Sequence, residues 1–337
     1  MSGKRRITAL VLHNEVGSES TQDELDVIAQ VESVSQALSA LGYEVVTLPL
    51  SLDLQTVSAR LKKRKPHFVF NLVESIGGTG RFLYFASALL DHLGLPYSGS
   101  PTDALYITTN KPLSKSWMRA KRIPTPPWIR MNGPTVKSRV FAPPYIIKPV
   151  WEDASVGLDD QSVFFNRGSF RDHLKEKSQS GGKWFAEAYI PGREFNISVL
   201  ADKATPRVLP VAEIKFVGYP VDKPKIVDYR AKWEVDSFEY RNTIRHFDFS
   251  KKDDQLLTEL RTITLKCWKV FNLHGYARVD FRVDEDGKPW VLEINANPCI
   301  SPDSGFVAAA EQAGLNFETV VRHIINDIPG FKHDPEN

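Results

Sequence analysis

The stretch from Tyr276 to Pro298 reads Y-A-R-V-D-F-R-V-D-E-D-G-K-P-W-V-L-E-I-N-A-N-P, and its carboxylates, amide and arginine recur at a spacing suited to chemistry. Two runs of alternating side chains flank Asp286-Gly287, the dipeptide that most favours a two-residue hairpin turn. A turn centred there sets Asp280 opposite Glu293 and Arg278 opposite Asn295, and period-two geometry points all four to one face. Two carboxylates so close repel by roughly 4 kcal/mol at an effective dielectric near 20, unless a cation or a proton intervenes. Hard oxygen ligands of this kind favour Mg2+ or Mn2+, completed by phosphate oxygens and water. The face reads as a metal-phosphate platform or as a solvated hairpin with its charges outward.

The elements that must position these residues follow from hydrophobic period. In the first hundred residues, strands at Ile7 to Leu12, Val45 to Leu48 and His67 to Leu72 alternate with helices. The first helix starts near Ser20 or Thr21 and carries Leu25, Ile28, Val31, Val34, Leu38 and Leu41 up to Gly42; the second spans Leu54 to Leu61. This β-α-β-α-β order predicts a parallel sheet covered by helices. The glycine-bearing loop after Leu72, Gly77-Gly78-Thr79-Gly80, is either a site edge beyond the strand ends or a tight turn.

From Pro124-Thr125-Pro126-Pro127 and Gly133-Pro134 the chain reads as a connection. Strands resume at 145–149, 162–165, 184–189 and 194–200. Lys148 ends the first of these, and is either a solvated edge lysine or a phosphate-neutralising one beside the small-residue loop from Glu152 to Gly157. Ser250 and Asp253 resemble a capping box for a helix with Leu256, Leu260, Ile263, Cys267 and Val270 on one face, closed by Gly275.

Composition narrows the class. The 337 residues, 42% apolar and 25% charged, can bury cores of two or three domains, and a net charge of +2 gives no nucleic-acid or membrane-surface footprint. Cys267 and Cys299 are too few for a disulfide framework or zinc site. Lys4-Arg5-Arg6 precede an apolar run of only six residues, too short for a signal peptide or membrane span. A cytoplasmic setting is the expectation.

Taken in order, these pieces resemble the D-alanine–D-alanine ligase family of the ATP-grasp superfamily. The residues carrying the likeness are Glu293-Ile294-Asn295-Ala296-Asn297-Pro298 after Arg278-x-Asp280, with Ser304 beyond. Leu95 to Ser100, Asn110-Lys111, Ile123 to Pro127, Ile147-Lys148-Pro149, Ala154 to Gly157 and Glu187 to Phe195 support it. The resemblance implies a mixed α/β and α+β ATP-grasp fold: an N-terminal α/β domain over 1–100, a central lobe over 101–187, and a C-terminal lobe over 188–330 with the metal site. Lys111, Lys148 and Ser155 would hold ATP phosphates. Glu187, Ala188 and Ile190 would meet adenine, and Glu194 the ribose. Asp280, Glu293 and Asn295 would bind Mg2+ or Mn2+. Lys232 would reach the transferred phosphate from a mobile cover at about 218–246, Arg278 would stabilise the oxyanion, and Ser304 would hold a carboxylate. Arg278 could also serve only as a salt bridge to Asp280.

The implied activity is an ATP-dependent carboxylate–amine ligase working through an acyl phosphate on amino-acid or peptide-like substrates, in a homodimer. A kinase or a catalytically silent nucleotide-binding protein are the alternatives. The substrate end departs from the family pattern. Val73-Glu74-Ser75 replaces leucine-histidine-glycine, Thr79 replaces a glutamate, and Trp233 replaces an aromatic hydroxyl. Ala154 replaces a serine, and Cys299 and Gly305 replace a glycine and a leucine. For the glutamate that orients the first substrate's ammonium, Glu24 is the first candidate and Glu15 the second. D-alanine itself is therefore not implied.

Overall fold

A computed structural model describes residues 7–17, 20–130, 141–152, 155–179, 183–202 and 205–331. Lys4-Arg5-Arg6, Gly133-Pro134 and Ala154 lie outside these residues. The chain opens with β1 (Thr8–Asn14), α1 (Gln22–Ala40), β2 (Glu44–Leu50), α2 (Leu54–Arg64) and β3 (Phe68–Asn71). The strands form a parallel sheet in the order β2-β1-β3, with Ala9 in register with both Val45 and Phe68. That is the arrangement the alternating pattern predicts. Helix α1 starts after Thr21, whose backbone N–H donates to the Glu24 carboxylate at 3.1 Å, and it buries Val27, Gln30, Val34 and Leu38 against the sheet. A glutamine on that stripe is out of pattern for a plain core helix.

After β3 come α3 (Phe85–Leu93), α4 (Thr102–Thr109) and α5 (Lys111–Ala120). Sequence periodicity assigned no element to 101–123. Three of the eight residues of α4 are threonine, which blurs its apolar stripe. In α5 the buried face includes two lysines, Lys111 and Lys115, where apolar residues would be looked for.

The central lobe contains β4 (Trp128–Arg130), β5 (Tyr145–Pro149), β6 (Val163–Phe164), α6 (Arg167–Gln179) and β7 (Trp184–Ala188), with strand order β4-β7-β5-β6, all antiparallel. The larger sheet follows: β8 (Arg193–Leu200), β9 (Arg207–Val208), β10 (Ala212–Phe216), α7 (Tyr229–Trp233), α8 (Phe238–Asn242), β11 (Thr243–His246), α9 (Asp254–Val270), β12 (Tyr276–Val283) and β13 (Pro289–Asn295). Its order is β11-β10-β8-β12-β13, with β9 beside β8. Helices α10 (Gly305–Gln312) and α11 (Phe317–Asn326) end the described chain.

Period two divides the large sheet. Phe195, Ile197, Val279, Phe281 and Val283 point to one side and pack with Leu257, Leu260 and Cys267 of α9. Each such side chain contributes roughly 1.5–3 kcal/mol on burial. Glu194, Asn196, Arg278, Asp280 and Arg282 must then face the other way. The helices α10 and α11 return to the first sheet, where Val320, Val321 and Ile324 join the core of Ala9, Val11, Phe68 and Phe70. No helix among the described residues is long and apolar enough to cross a membrane.

Two expected helix boundaries differ. Ser250 and Asp253 form no capping box: the Ser250 hydroxyl donates to the Asp253 carboxylate at 3.3 Å, and that carboxylate pairs with Arg193 at 2.5 Å. The chain enters α9 through a single 3-10 turn at Lys251–Asp253 instead. At the other end Asn272, φ +51, takes the left-handed turn. Gly275 is needed for close approach, since a Cβ there would stand 3.0 Å from the backbone nitrogen of Gly99.

A tighter constraint sits at Gly192, φ +129, where a Cβ would fall 2.1 Å from the Val283 carbonyl oxygen. We expect Gly192→Ala to lower unfolding free energy in urea by about 2 kcal/mol or more, because it adds both backbone strain and a main-chain clash. An unchanged midpoint and slope would refute that.

Candidate active site

The β12–β13 pair carries the residues singled out by the turn argument, and its register is Arg278 with Asn295 and Asp280 with Glu293. The turn itself is not the two-residue type. The Asp284 N–H donates to the Lys288 carbonyl and the Gly287 N–H to the Asp284 carbonyl, leaving a three-residue loop with Gly287 at φ +80. Next to the loop the pairing runs Val283 with Pro289 and Phe281 with Val291. A bulge between Asp280 and Phe281 skips Leu292, and the one extra residue restores the expected register farther on.

Asp280 is held on two sides. The Arg278 guanidinium makes a fork to it, Nε to Oδ1 at 2.8 Å and Nη2 to Oδ2 at 2.9 Å, and Asn196 of β8 donates to Oδ1 at 2.8 Å. Desolvation opposes the Arg278 charge, but Asp280 outweighs it and the guanidinium is more firmly protonated than usual. Arg282, two residues on, pairs with Glu194 at 3.2 Å. Burial nevertheless pushes the Glu194 carboxyl up. Glu293 behaves oppositely: burial would raise it, yet Lys111, Lys148, Lys232 and Arg278 together hold it at about 2. The Asn295 side chain accepts the Asn297 N–H at 3.0 Å.

The facing wall is cationic. Lys111 Nζ lies 3.8 Å from Glu293 and donates to the Glu152 carbonyl at 2.7 Å. Glu187 of β7 is buried between two ammonium groups, Lys148 at 2.7 Å and Lys115 at 2.6 Å. Desolvation would raise its pKa, but the two lysines overcome that and the net shift is downward. Lys115 also donates to Thr125 Oγ1 at 2.9 Å and to the carbonyl of the bulged Leu292 at 3.1 Å. Sequence reasoning missed Lys115; the signal was a lysine four residues after Lys111, on the same helical face.

Between the walls lies a cavity of about 700 Å3. Lys111, Lys148, Ser155, Glu187, Ala188, Ile190 and Glu194 line it, as do Lys232, Arg278, Asp280, Glu293, Asn295 and Ser304. Glu24 is not among the lining residues, because its carboxylate caps α1, and neither is Glu15. The acidic groups from the first domain that do reach the cavity are Asp26 and Glu74. Gln30, the glutamine on the buried stripe of α1, donates to Glu74 at 2.8 Å and accepts the Ile300 N–H at 3.0 Å. Cys299 donates its S–H to Asp26 at 2.9 Å, and burial raises the pKa of both groups. The glycines of the loop after β3 stay off the cavity: Gly77 and Gly78 take left-handed turns, while Thr79 and the Gly80 N–H bind the Glu152 carboxylate.

The polar stretch expected to be a mobile cover contains α7, α8 and β11, each short helix capped by a side chain, Asp228 to the Ala231 N–H and Ser237 to the Tyr240 N–H. Ser155 Oγ donates to the Val227 carbonyl at 2.6 Å, and Tyr229 donates to Asp23 of α1 at 3.2 Å. The segment is thus anchored to the central lobe and to the first domain, and it brings Lys232 and Trp233 to the cavity. Ser304 caps α10, accepting from the Val307 N–H at 3.2 Å.

A small antiparallel lobe and a larger sheet closing on a lysine- and carboxylate-lined cleft, after a parallel N-terminal domain, define an ATP-grasp fold. The crystal structure of D-alanine–D-alanine ligase from Bacillus anthracis complexed with ATP superposes with a TM-score of 0.72 over 96% of this chain and 97% of that one. At 22% identity that likeness is one of fold. The family described as D-ala D-ala ligase C-terminus matches residues 123–326. The D-alanine–D-alanine ligase of Rickettsia canadensis is 31% identical over 96% of this chain and 83% of its own length; that of Aquifex aeolicus is 28% identical over 92% and 98%. The chain belongs to the D-alanine–D-alanine ligase family.

Removing the Arg278 side chain would leave Asp280 a buried carboxylate facing Glu293, with Asn196 as its side-chain hydrogen-bond donor among the described residues. We expect Arg278→Ala to destabilise the protein by roughly 3–5 kcal/mol in urea unfolding, against a much smaller loss for the double change Arg278→Met with Asp280→Leu. Equal losses in the two variants would refute the charge argument.

Proposed function

We propose that the protein is an ATP-dependent carboxylate–amine ligase that forms an amide through an acyl phosphate, with a substrate pair other than two D-alanines. The observation that carries this reading is the meeting of Lys111, Lys148 and Lys232 with the Asp280–Glu293 pair in one cavity. A carboxylate is a poor acyl donor because oxide is a poor leaving group, so phosphorylation must precede attack by an amine. Both steps gather negative charge, which fixed cations can stabilise without reorganising.

In this reading Lys111 and Lys148, with the loop at Ser155, bind the triphosphate. The strand at Ala188 and Ile190 offers backbone groups to the base, while the Glu187 carboxylate is committed to its two lysines. Glu194 takes the ribose hydroxyls. Lys232 reaches the transferred phosphoryl group, Arg278 stabilises the charge that develops on the carbonyl oxygen, and Ser304 receives the second substrate's carboxylate. Asp280, Glu293 and Asn295 are all oxygen donors, yet among the described residues no group of three or more His, Cys, Asp or Glu could hold a metal ion unaided. So sparse a set fits a hard cation that arrives with its own phosphate and water oxygens, as Mg2+ does with ATP. Such a cation would supply further neutralisation of the phosphoryl oxygens.

The substrate end supports a departure from D-alanine. Glu74 stands where the family pattern has a histidine, and it is fixed by Gln30 beside the Asp26–Cys299 pair. A donor or cation has been exchanged for an acceptor and anion, which favours different substrate groups.

The test is ADP and phosphate release with mass analysis as amino acids are supplied singly and in pairs. Release that requires a second amine, with an amide product, is expected. A stable phosphorylated product from one substrate would instead make the protein a kinase, and no release with any pair would favour a silent nucleotide-binding protein. Excess chelator should abolish turnover; undiminished rates would overturn the metal assignment.

A further inference from the structure

We propose that Lys115, buried beneath the nucleotide cleft, is a positioning residue that keeps the charge of Lys148 available to the triphosphate. The inference rests on the reading of Lys148 as a phosphate ligand and adds a residue that this reading does not use. Lys115 is not a lining residue of the cavity, and its side chain is 1% exposed, so it touches no substrate.

Glu187 is as buried as Lys115 and contacts both lysines, at 2.6 and 2.7 Å. With Lys148 alone, the carboxylate would form a neutral pair, and a phosphate arriving in the cleft would meet an ammonium already matched by an anion. Lys115 supplies the second positive charge, so the trio carries a net single positive charge, and of its two ammonium groups the one that reaches the cavity is Lys148. Glu187 also fixes where that charge sits: its two oxygens are divided, Oε2 to Lys115 and Oε1 to Lys148. A buried ammonium costs free energy unless it is paired and hydrogen-bonded. Burial lowers the Lys115 pKa, and the contacts that oppose this and hold its charge are Glu187, Thr125 Oγ1 and the Leu292 carbonyl. The same contacts fasten the bulge that precedes Glu293, so one side chain ties the phosphate wall to the opposite one.

The experiment measures binding of ATP and of adenosine to the full-length chain with Mg2+ present, for wild type, Lys115→Met, Lys115→Arg and the double variant Lys115→Met with Glu187→Gln. The ratio of ATP to adenosine affinity is the readout, since adenosine lacks the phosphates and reports any general damage to the cleft. Wild type that binds no ATP overturns the nucleotide reading itself. Given wild-type binding, Lys115→Met should lower the ratio about tenfold or more, the effect of one charge lost near a polyanion after screening. Lys115→Arg should recover most of it, and the double variant should return to the wild-type ratio, because removing the carboxylate releases Lys148. A ratio unchanged in Lys115→Met, with both ligands weakened alike, would make Lys115 merely structural and overturn the proposal. Should Lys115→Met fail to fold by circular dichroism, the double variant decides alone: a wild-type ratio supports the proposal and a lowered one overturns it.

Discussion

Two carboxylates placed opposite each other on adjacent strands repel, and the pairing of β12 with β13 imposes that contact on Asp280 and Glu293. Much of the surrounding molecule answers this constraint. The Arg278 fork and Asn196 hold Asp280, while Lys111 approaches Glu293 from a helix more than a hundred and fifty residues earlier in the chain. The result is a wall of matched but partly displaceable charge, of the kind a triphosphate and its cation can enter.

The facing wall solves a different problem. Lys148 reaches the cavity from β5, next to a strand that carries Glu187 into the interior. A second lysine from α5 completes the ion pairs below the surface, and the carbonyl it binds belongs to the bulged residue of β13. The bulge therefore acts at two levels. It corrects the strand register after a three-residue loop, and it leaves a main-chain carbonyl for Lys115 to bind.

The corner of the cavity at Asp26 and Glu74 is built from residues far apart in sequence. Asp26 and Gln30 of α1, Glu74 after β3, and Cys299 after β13 meet there, and Tyr229 from the cover reaches Asp23 on the same helix. Because α10 and α11 share the core of the first sheet, the first sheet and the end of the chain are packed together around this corner. Changes at Glu74, Cys299 and Trp233 relative to the family pattern therefore fall along the same cavity that Lys111 and Lys148 line.

The sequence by itself determined the parallel first sheet, through alternating strand and helix periods, and the facing of Asp280 with Glu293, through counting outward from a turn. That count reached the right partners even though the loop is one residue longer than expected, because the bulge cancels the difference. It also marked the lysines and carboxylates that line the cleft. Tertiary structure decided what local patterns do not carry: that Glu24 is spent on capping a helix while Asp26 reaches the cavity, that Gln30 and Lys115 are buried for their polar contacts, and that the polar stretch after residue 218 folds into capped helices and an edge strand. Each of those outcomes depends on a partner distant in the chain. Period and turn chemistry are local, whereas the pairing of buried charge is settled only when separate elements are brought together.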